Sequence, residues 1–426
     1  MNKILLKNGH IFSPEDGIDE ILDLLIVGEN IEKIGKNLKV EGAKEVDLTG
    51  LTVFPGFIDL HAHLREPGYE YKEDIESGSK AAVAGGFTTV LAMPNTSPPI
   101  DSPERVEYIV KRASQVGLAH IYPIGAITKN RAGEDLADLR LMAEMGAVAF
   151  SDDGDWVRNS SVMRRALEYA QDFPIISHAE DKTLSPKGIM HESPLSYELG
   201  IKGIPRESEE IAVARDVLLA RLTGGRLHVA HVSSKGSIKI IEMAKEAGLR
   251  VTAEVTPHHL IFTEEVMRTY DPIYKVNPPL RSEEDRKALI EALKSGVIDC
   301  IATDHAPHAT FEKELDLNQA PFGILELEVA FSSLYTKLVK EGELELETLV
   351  AAMSTKPAQI FGFDEMGRIK EDSLADLSIW NLNEKWMVTK DLLHSKSSNT
   401  PFLGKELYAK IKYTIVGGKL IDVSNL

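Results

Sequence analysis

Short apolar runs rich in β-branched residues alternate with helix-like segments along the middle three-quarters of this 426-residue chain. Eight strand-like runs occupy residues 52–63, 87–95, 120–128, 147–153, 174–180, 227–233, 250–259 and 298–308. Several intervening segments carry helix signals: Ser102 precedes Pro103 in one of them, and another opens on Ser282 and closes on Gly296. Eight strands joined by helical crossovers predict an α/β fold, a (β/α)8 barrel.

Polar side chains, most of them able to bind a metal, follow these runs. In chain order they are His61 and His63, Asn95, Thr128, Asp153, His178, His231, His258 and His259, and Asp304 with His305 and His308. His61 and His63 are two residues apart, so both point to the same side of an extended segment. The carboxyl ends of barrel strands meet at one face, where active sites lie. The recurrence of these residues therefore predicts a metal site at that face.

The composition limits which atoms can bind that metal. The single Cys300 excludes an internal disulfide and a cysteine-built metal centre, and its place in "IDCIATD" predicts a small buried core residue. Any metal must therefore be held by His, Asp and Glu side chains. The chain is 43% hydrophobic and 27% charged, which is typical of a globular protein, and its formal charge of −18 argues against a nucleic-acid partner.

The sequence also favours a cytoplasmic protein without a membrane partner. No stretch approaches the roughly 18 consecutive apolar residues that read as a membrane span. The start "MNKILLKNGH" lacks the long apolar region and small-residue cleavage site of a signal peptide.

The two chain ends differ from the middle because they alternate short strands with turns and lack helical crossovers. Residues 1–53 and 366–426 are predicted to pair into one small β-sandwich domain, and residues 54–365 are predicted to form the barrel. The role of the small domain is expected to be structural.

Six segments together carry a family resemblance. They are "FIDLHAHLREPG", "MPNTSPP", "FSDDG", "HVSS", "VNPPLR" and "ATDHAPH". In this combination, and over essentially the whole chain, the sequence resembles the amidohydrolase superfamily and most closely the bacterial type I dihydroorotases. The resemblance implies a zinc-dependent, reversible cyclisation of N-carbamoyl-L-aspartate to L-dihydroorotate, the third step of pyrimidine biosynthesis.

The resemblance also implies one or two Zn2+ ions per chain and a set of ligands. The implied ligands are His61, His63, Asp153, His178, His231 and Asp304. Spacing cannot choose between Asp152 and Asp153, and the resemblance favours Asp153 as the bridge between two metals. Many relatives use a carboxylated lysine as this bridge, but "AVAFSDDGD" contains no lysine. This difference fits the subgroup with an aspartate bridge and leaves the metal number open.

The chemistry requires these residue types. Zinc held by imidazoles and carboxylates makes hydroxide available near neutral pH and polarises an amide carbonyl. Asp304, beside the metal, is expected to take the proton from the attacking hydroxide and deliver it to the departing ring nitrogen.

The substrate carries an α-carboxylate, so the site needs a cation that is not a metal ligand. Arg65 follows His63 by two residues, and an arginine fork matches a carboxylate with two parallel hydrogen bonds. The alternative for Arg65 is a surface salt bridge. The resemblance implies that Asn95 and His308 complete this clamp.

Further contacts of the substrate ring follow from the resemblance alone. It implies contacts from Asn277 and from the backbone of residues 320–323, including Phe322 and Gly323. For Asn277, a plain turn before two prolines is an alternative. His258 and His259 are interpreted as packing or supporting residues.

Two other functions stay open. A hydantoinase, dihydropyrimidinase or allantoinase-like cyclic amidase is disfavoured by the missing lysine and by the pair of Arg65 and Asn95. A non-catalytic scaffold for aspartate transcarbamoylase is disfavoured because every expected ligand is present. An active enzyme could still associate with that transcarbamoylase or with further copies of itself.

Two positions depart from the pattern of relatives. The segment "KEDSLADL" lacks the glycine that usually precedes Ala-Asp, and Glu326 stands where relatives tend to carry a small residue. The second departure lies near the expected substrate loop.

Overall fold

The computed structural model describes residues 3–170 and 172–426. Its strands in chain order are β1 Lys3–Ser13, β2 Ile18–Val27, β3 Asn30–Gly35, β4 Lys44–Asp47, β5 Thr52–Pro55, β6 Phe57–Ala62, β7 Phe87–Ala92, β8 His120–Gly125, β9 Ala149–Ser151, β10 Ile175–Ser177, β11 Met190–His191, β12 Gly203–Ile204, β13 Leu227–Val229, β14 Val251–Val255, β15 Cys300–Ile301, β16 Leu377–Met387, β17 Glu406–Val416 and β18 Lys419–Asp422.

The α-helices lie mostly between these strands. In chain order they are α1 Ile75–Ala84, α2 Pro103–Val116, α3 Leu139–Glu144, α4 Ser160–Ala170, α5 Pro194–Leu199, α6 Glu207–Thr223, α7 Lys235–Glu246, α8 Pro257–Ile261, α9 Glu283–Ser295, α10 Thr310–Lys313, α11 Ala330–Leu334, α12 Leu346–Met353 and α13 Thr355–Phe361. The two predicted helix starts are present, because α2 begins at Pro103 after Ser102 and α9 begins after Ser282, whose hydroxyl accepts from the Asp285 amide.

Eight parallel strands form the barrel in the order β6, β7, β8, β9, β10, β13, β14 and β15. A parallel bridge between Ala62 and His305 and a 2.9 Å hydrogen bond from the His63 amide to the His305 carbonyl bring the last strand back to the first. The predicted (β/α)8 barrel is therefore confirmed. The short strands β11 and β12 pair with each other in the connection that follows β10.

The prediction that residues 52–63 form one strand is wrong. The segment is divided at Gly56 into β5, which pairs with β1 and β16, and β6, which opens the barrel. The chain passes so close to Thr88 at this point that a Cβ on Gly56 would lie 2.3 Å from the threonine hydroxyl. Only glycine allows this approach, and the chain changes from one sheet to the other there.

The barrel strands pack against the surrounding helices and against each other. Apolar side chains from successive strands meet in one buried cluster that includes Ile58, Leu91, Ile124, Ile176 and Cys300. Cys300 is fully buried, as predicted. This packing gives the polar side chains at the strand ends a rigid base.

The two chain ends pair into one separate sheet domain, as predicted, and its description as a β-sandwich stays a prediction. Strands β1–β5 and β16–β18 belong to one eight-stranded sheet, in which β16 pairs with β5 and β5 with β1. The domain has its own apolar cluster, which includes Leu6, Leu24, Val53, Leu377 and Ile415. The exact boundaries at residues 53 and 366 stay predictions. Among the described residues, no helix is both long and apolar enough to cross a membrane.

Candidate metal centre and substrate site

Asp153, just after β9, lies at the centre of four imidazoles that come from separate strand ends. Its Oδ1 atom is 3.3 Å from His61 Nε2, 3.4 Å from His178 Nδ1 and 3.7 Å from His231 Nε2. Its Oδ2 atom is 3.5 Å from His63 Nε2. Five of the six predicted ligands are thus brought together by β6, β9, β10 and β13.

Asp304, which follows β15, is the sixth. Its Oδ1 atom is 3.0 Å from His63 Nε2 and 3.6 Å from His61 Nε2. Asp304 has a φ of +49° and His231 a φ of +33°, a region that non-glycine residues rarely adopt. Such backbone conformations concentrate at functional sites, where the surrounding structure holds them.

The two adjacent aspartates have different partners. Asp153 faces the imidazoles, whereas Asp152 accepts hydrogen bonds from the Thr128 amide at 3.0 Å and from the Thr128 hydroxyl. The geometry therefore separates the two residues that spacing could not.

Side-chain oxygens of Glu254 and of Asn95, which lies in the loop after β7, orient two of the imidazoles. Glu254 on β14 accepts from His61 Nδ1 at 2.7 Å and from His228 Nε2 at 3.0 Å, and Asn95 Oδ1 accepts from His63 Nδ1 at 2.8 Å. These bonds occupy Nδ1 of His61 and His63 and leave Nε2 of each ring facing the cluster, where a metal would take its lone pair.

A second carboxylate lies beside His178. Glu180 Oε2 is 3.4 Å from His178 Nε2 and accepts a 2.8 Å hydrogen bond from the side-chain Nδ2 of Asn277. Predicted residue Asn277 therefore lies at this site, where it contacts both His178 and Glu180.

Sequence reasoning missed three buried carboxylates at this site. They are Glu254, Glu180 and Asp59, the last of which accepts from the Thr303 amide at 2.9 Å and the Thr303 hydroxyl at 2.5 Å. The available signal was an acidic residue within an apolar run, as in "RVTAEV" and "FIDLHAH". Such a residue is rarely buried unless it has a partner.

The electrostatics of the cluster keep its carboxylates ionised. Burial opposes charge on Asp304, but the neighbouring His61 and His63 imidazoles lower its pKa to about 2. Burial would lower the pKa of His61, yet Asp153 and Glu254 raise it well above its usual value. Burial likewise opposes charge on His178, whose pKa is raised to about 9 by Asp153 and Glu180. Without a metal, protons on the imidazoles balance these carboxylates, and a bound cation would take the place of those protons.

The donor set fits a divalent metal. His61 Nε2 and Asp153 Oδ1 are buried and have no hydrogen-bond partner among the described residues. Ligand atoms of His61, His63 and Asp304 lie within 4.8 Å of one another, as do those of His61, Asp153 and His231. Imidazole nitrogen and carboxylate oxygen are the ligands that zinc and similar metals take from proteins.

A cavity of about 360 Å³ opens beside this cluster, and the predicted substrate residues line it. They are Arg65, Asn95, Asn277, His308, Phe322 and Gly323. Arg65 is 9% exposed, donates from Nε to the Pro307 carbonyl at 3.2 Å, and has no carboxylate within 4.0 Å in the described part of the chain. The alternative of a surface salt bridge is therefore wrong. A buried guanidinium without an anionic partner is costly, and an anionic ligand would compensate it.

His308 and Gly323 form the wall next to Arg65. His308 donates from Nε2 to the Phe322 carbonyl at 2.8 Å, and its pKa is lowered to about 2 by burial and by the Arg65 and Lys72 charges. The imidazole is therefore neutral. Gly323 has a φ of +132°, and a Cβ there would lie 2.6 Å from the Ala306 Cβ, so no larger residue fits.

The histidines that follow β14 have structural partners, as predicted. His259 bonds the Pro278 carbonyl at 3.0 Å, and His258 pairs at 3.0 Å with Glu326, which is fully buried. This pair accounts for the acidic residue at position 326, because His258 supplies the partner that a buried carboxylate needs.

Comparison with known proteins shows similarity along the whole chain. Residues 50–237 match the family model described as Dihydro-orotase-like, and residues 241–422 match the Amidohydrolase family model. The chain is 48% identical over 421 residues to a dihydroorotase of Geobacter metallireducens, with 98% of this chain and 99% of that protein covered. It is also 48% identical over 423 residues to a dihydroorotase of Aquifex aeolicus, with 99% of each covered.

Solved structures of cyclic amidases share the fold. The L-hydantoinase from Arthrobacter aurescens aligns with a TM-score of 0.89 and 28% identity, covering 99% of this chain and 96% of that one. The D-hydantoinase from a Thermus species aligns with a TM-score of 0.81 and 28% identity, covering 98% and 94%.

Proposed function

The chain belongs to the dihydroorotase family of cyclic amide hydrolases, and we propose that its catalytic centre is the cluster around Asp153 and its substrate anchor is Arg65. The reaction is the reversible interconversion of N-carbamoyl-L-aspartate and L-dihydroorotate in pyrimidine biosynthesis. Both compounds are anions with an α-carboxylate, which distinguishes them from hydantoin and dihydrouracil.

The observation that carries this proposal is the unpaired Arg65 guanidinium in the cavity next to the cluster. His308 is neutral, so among Arg65, His308 and Gly323, which line this wall of the cavity, Arg65 supplies the positive charge. The amide group of Asn95 also faces the cavity, and because its Oδ1 atom is used by His63, its Nδ2 donors are left for the substrate carboxylate.

We propose zinc, one or two ions per chain, as the metal, held by His61, His63, Asp153, His178, His231 and Asp304. When bound, zinc supplies a Lewis acid that polarises the substrate carbonyl and makes hydroxide available near neutral pH.

Asp304 is the proposed proton carrier. Its low pKa means that it begins the hydrolytic direction as a carboxylate, and it lies 3.0 Å from His63 at the edge of the cavity. From this position it takes a proton at a carboxylate oxygen and delivers it to the departing ring nitrogen. In ring closure the same residue removes the proton from that nitrogen.

The test is the variant Arg65→Met, which keeps much of the side chain's length but removes its charge. Losing one partner of a desolvated charge pair costs about 2–5 kcal/mol, or roughly 30- to 4,000-fold, so kcat/KM for dihydroorotate should fall by that factor. The measurement compares wild type and variant on dihydroorotate and dihydrouracil, with zinc content determined for each protein.

Arg268→Met is the matched control, because Arg268 is exposed and pairs with Glu198 and Glu265. It should leave both activities unchanged. A wild type that preferred dihydrouracil, or an Arg65→Met variant as active on dihydroorotate as wild type, would favour a cyclic amidase for neutral rings instead.

Other features of the protein stay predictions. Homo-oligomerisation and association with aspartate transcarbamoylase can be tested by light scattering of the purified chain alone and mixed with that enzyme. The cytoplasmic location rests on the sequence alone.

A further inference from the structure

A six-residue segment between β16 and β17, residues 394–399 with the sequence "HSKSSN", extends from the sheet domain to the substrate side of the barrel. We call it the C-terminal strap. Its contacts reach three loops that carry the proposed substrate residues, although the strap itself does not line the cavity.

Asn399 ends the strap, contacts the wall formed by His308 and Gly323, and is 5% exposed. Its Oδ1 atom accepts from the His308 amide at 3.0 Å, and its Nδ2 atom donates to the carbonyls of Ala306 at 3.0 Å and Gly323 at 3.3 Å. Its own carbonyl accepts from the Leu325 amide at 3.0 Å. One amide thus joins the loop after β15 to the segment that contains Gly323.

The other end of the strap holds the loop that follows Arg65. Ser397 donates from its hydroxyl to the Lys72 carbonyl at 2.7 Å, and the Ser395 hydroxyl donates to Glu73. The amide of His394 donates to Glu328 at 2.8 Å. The carboxylates of Glu73 and Glu328 are both buried, so the strap is anchored by charged groups inside the protein.

We propose that Asn399 is a positioning residue for substrate recognition, which sets the distance between the Arg65 loop and the wall formed by His308 and Gly323. This inference rests on the proposed function, because it assigns a role to the same cavity. The three backbone groups that face Asn399 need one acceptor and two donors, and an asparagine side chain provides them in a single rigid amide. A misplacement of about 1 Å at a reacting site can cost about 10²-fold in rate.

The test uses Asn399→Ala and Asn399→Asp, measured for KM and kcat on dihydroorotate and for zinc content. Aspartate has the shape of asparagine and keeps the acceptor for the His308 amide, but it cannot donate to the Ala306 and Gly323 carbonyls. We expect both variants to raise KM at least about tenfold, in line with the loss of a buried hydrogen-bond network. Zinc content should stay at the wild-type value, because the strap does not touch the metal cluster.

Ser398→Ala is the matched control within the strap, since the Ser398 hydroxyl makes no hydrogen bond in the described residues. This variant should keep the wild-type KM.

If Asn399→Ala does not fold, Asn399→Asp alone decides. A folded Asn399 variant with the wild-type KM, or one whose zinc is lost in proportion to its activity, would overturn the inference. If wild type itself failed to hydrolyse dihydroorotate, the proposed function would fail together with this inference, whereas an active wild type with an unaffected Asn399→Asp would contradict this inference alone.

Discussion

Asp152 and Asp153 show how one position along the backbone decides the chemistry of a residue. Both are buried carboxylates, but Asp152 is hydrogen-bonded to Thr128 and Asp153 lies among four imidazoles. The roles of the site residues stay proposals, and this pair allows the sharpest test of the metal ligands.

We predict that Asp153→Asn loses metal and that Asp152→Asn retains it. Asparagine at 153 removes a charged oxygen that lies between His61 and His178, whereas asparagine at 152 alters the two hydrogen bonds from Thr128 and leaves the imidazoles untouched. The measurement is the zinc content of the two purified variants and of wild type. Wild-type zinc content in Asp153→Asn would remove Asp153 from the ligand set.

A second prediction concerns Asp304. We expect Asp304→Asn to fold and to lose about 10²–10⁴-fold in turnover, the usual range for a positioned general acid or base. A larger loss is expected if metal is lost as well, because Asp304 is also a proposed ligand. Turnover is therefore measured on protein of known zinc content. Near-normal turnover in a metal-loaded variant would exclude Asp304 as the proton carrier.

Elements of the barrel act on the site through their ends. Asp59 on β6 bonds Thr303, which immediately precedes Asp304, and so couples the first strand of the barrel to the residue after the last. Burial raises the pKa of Asp59 to about 6, against the opposing effect of the Thr303 hydrogen bonds. This contact joins β6 to the backbone next to Asp304, whose φ of +49° is unusual for a non-glycine residue.

The opposite end of the barrel strands contacts the sheet domain. His120 is the first residue of β8, and its Nε2 atom lies 3.1 Å from Oδ2 of Asp376, the residue directly before β16. Asp376 Oδ1 also accepts from the Gly417 amide at 2.7 Å. Burial opposes charge on His120, but the hydrogen bond and charge of Asp376 raise its pKa above 6.5. This pair therefore links protonation to the contact between the two domains.

We predict that the contribution of His120 to the free energy of unfolding depends on pH. Because its pKa is raised in the folded state, the stabilisation is fully present below the unfolded value of about 6.5 and is lost as the pH rises through the raised folded value. The free energy of unfolding of wild type minus that of His120→Gln should be largest below pH 6.5 and decline above it. Urea unfolding from pH 5.5 to 9 measures this difference. A difference that grew with pH would contradict the assignment.

At the scale of the whole molecule, the metal cluster and the apolar core are separate sources of stability. The large cluster that packs barrel strands against helices contains no proposed metal ligand. The buried charges of Asp153 and Asp304, in contrast, lie against the imidazoles of His61 and His63. Metal binding should therefore stabilise the folded chain without being required for the fold.

We predict that removing metal with a chelator abolishes activity, lowers the melting temperature and leaves the secondary structure unchanged. A ligand that binds only the folded state stabilises it by about 2.7 kcal/mol at one hundred times its Kd. Activity, melting temperature and circular dichroism are followed during chelation and after zinc is returned. Full activity in the metal-free protein would end the proposal, and so would a failure of zinc to restore it.

The alternation of strand and helix was sufficient to predict the barrel, because side-chain periodicity and helix caps are local properties of the chain. The same is true of Cys300 as a core residue and of the two strand-rich ends as one domain. The division of residues 52–63 was not predicted, because the apolar run continues through Gly56 while the hydrogen-bond partners change from one sheet to the other.

The metal-binding side chains and their order along the chain could be predicted from the residues. The hydrogen-bond partners that hold those side chains in place could not. Glu254 orients His61 across 193 residues, and Asn399 holds His308 across 91. Strand periodicity says which side a residue faces within its own strand, whereas a contact between distant strands depends on register and on how the barrel closes. For this reason only the tertiary structure distinguished Asp153 from Asp152 and showed that Arg65 is buried without an anionic partner.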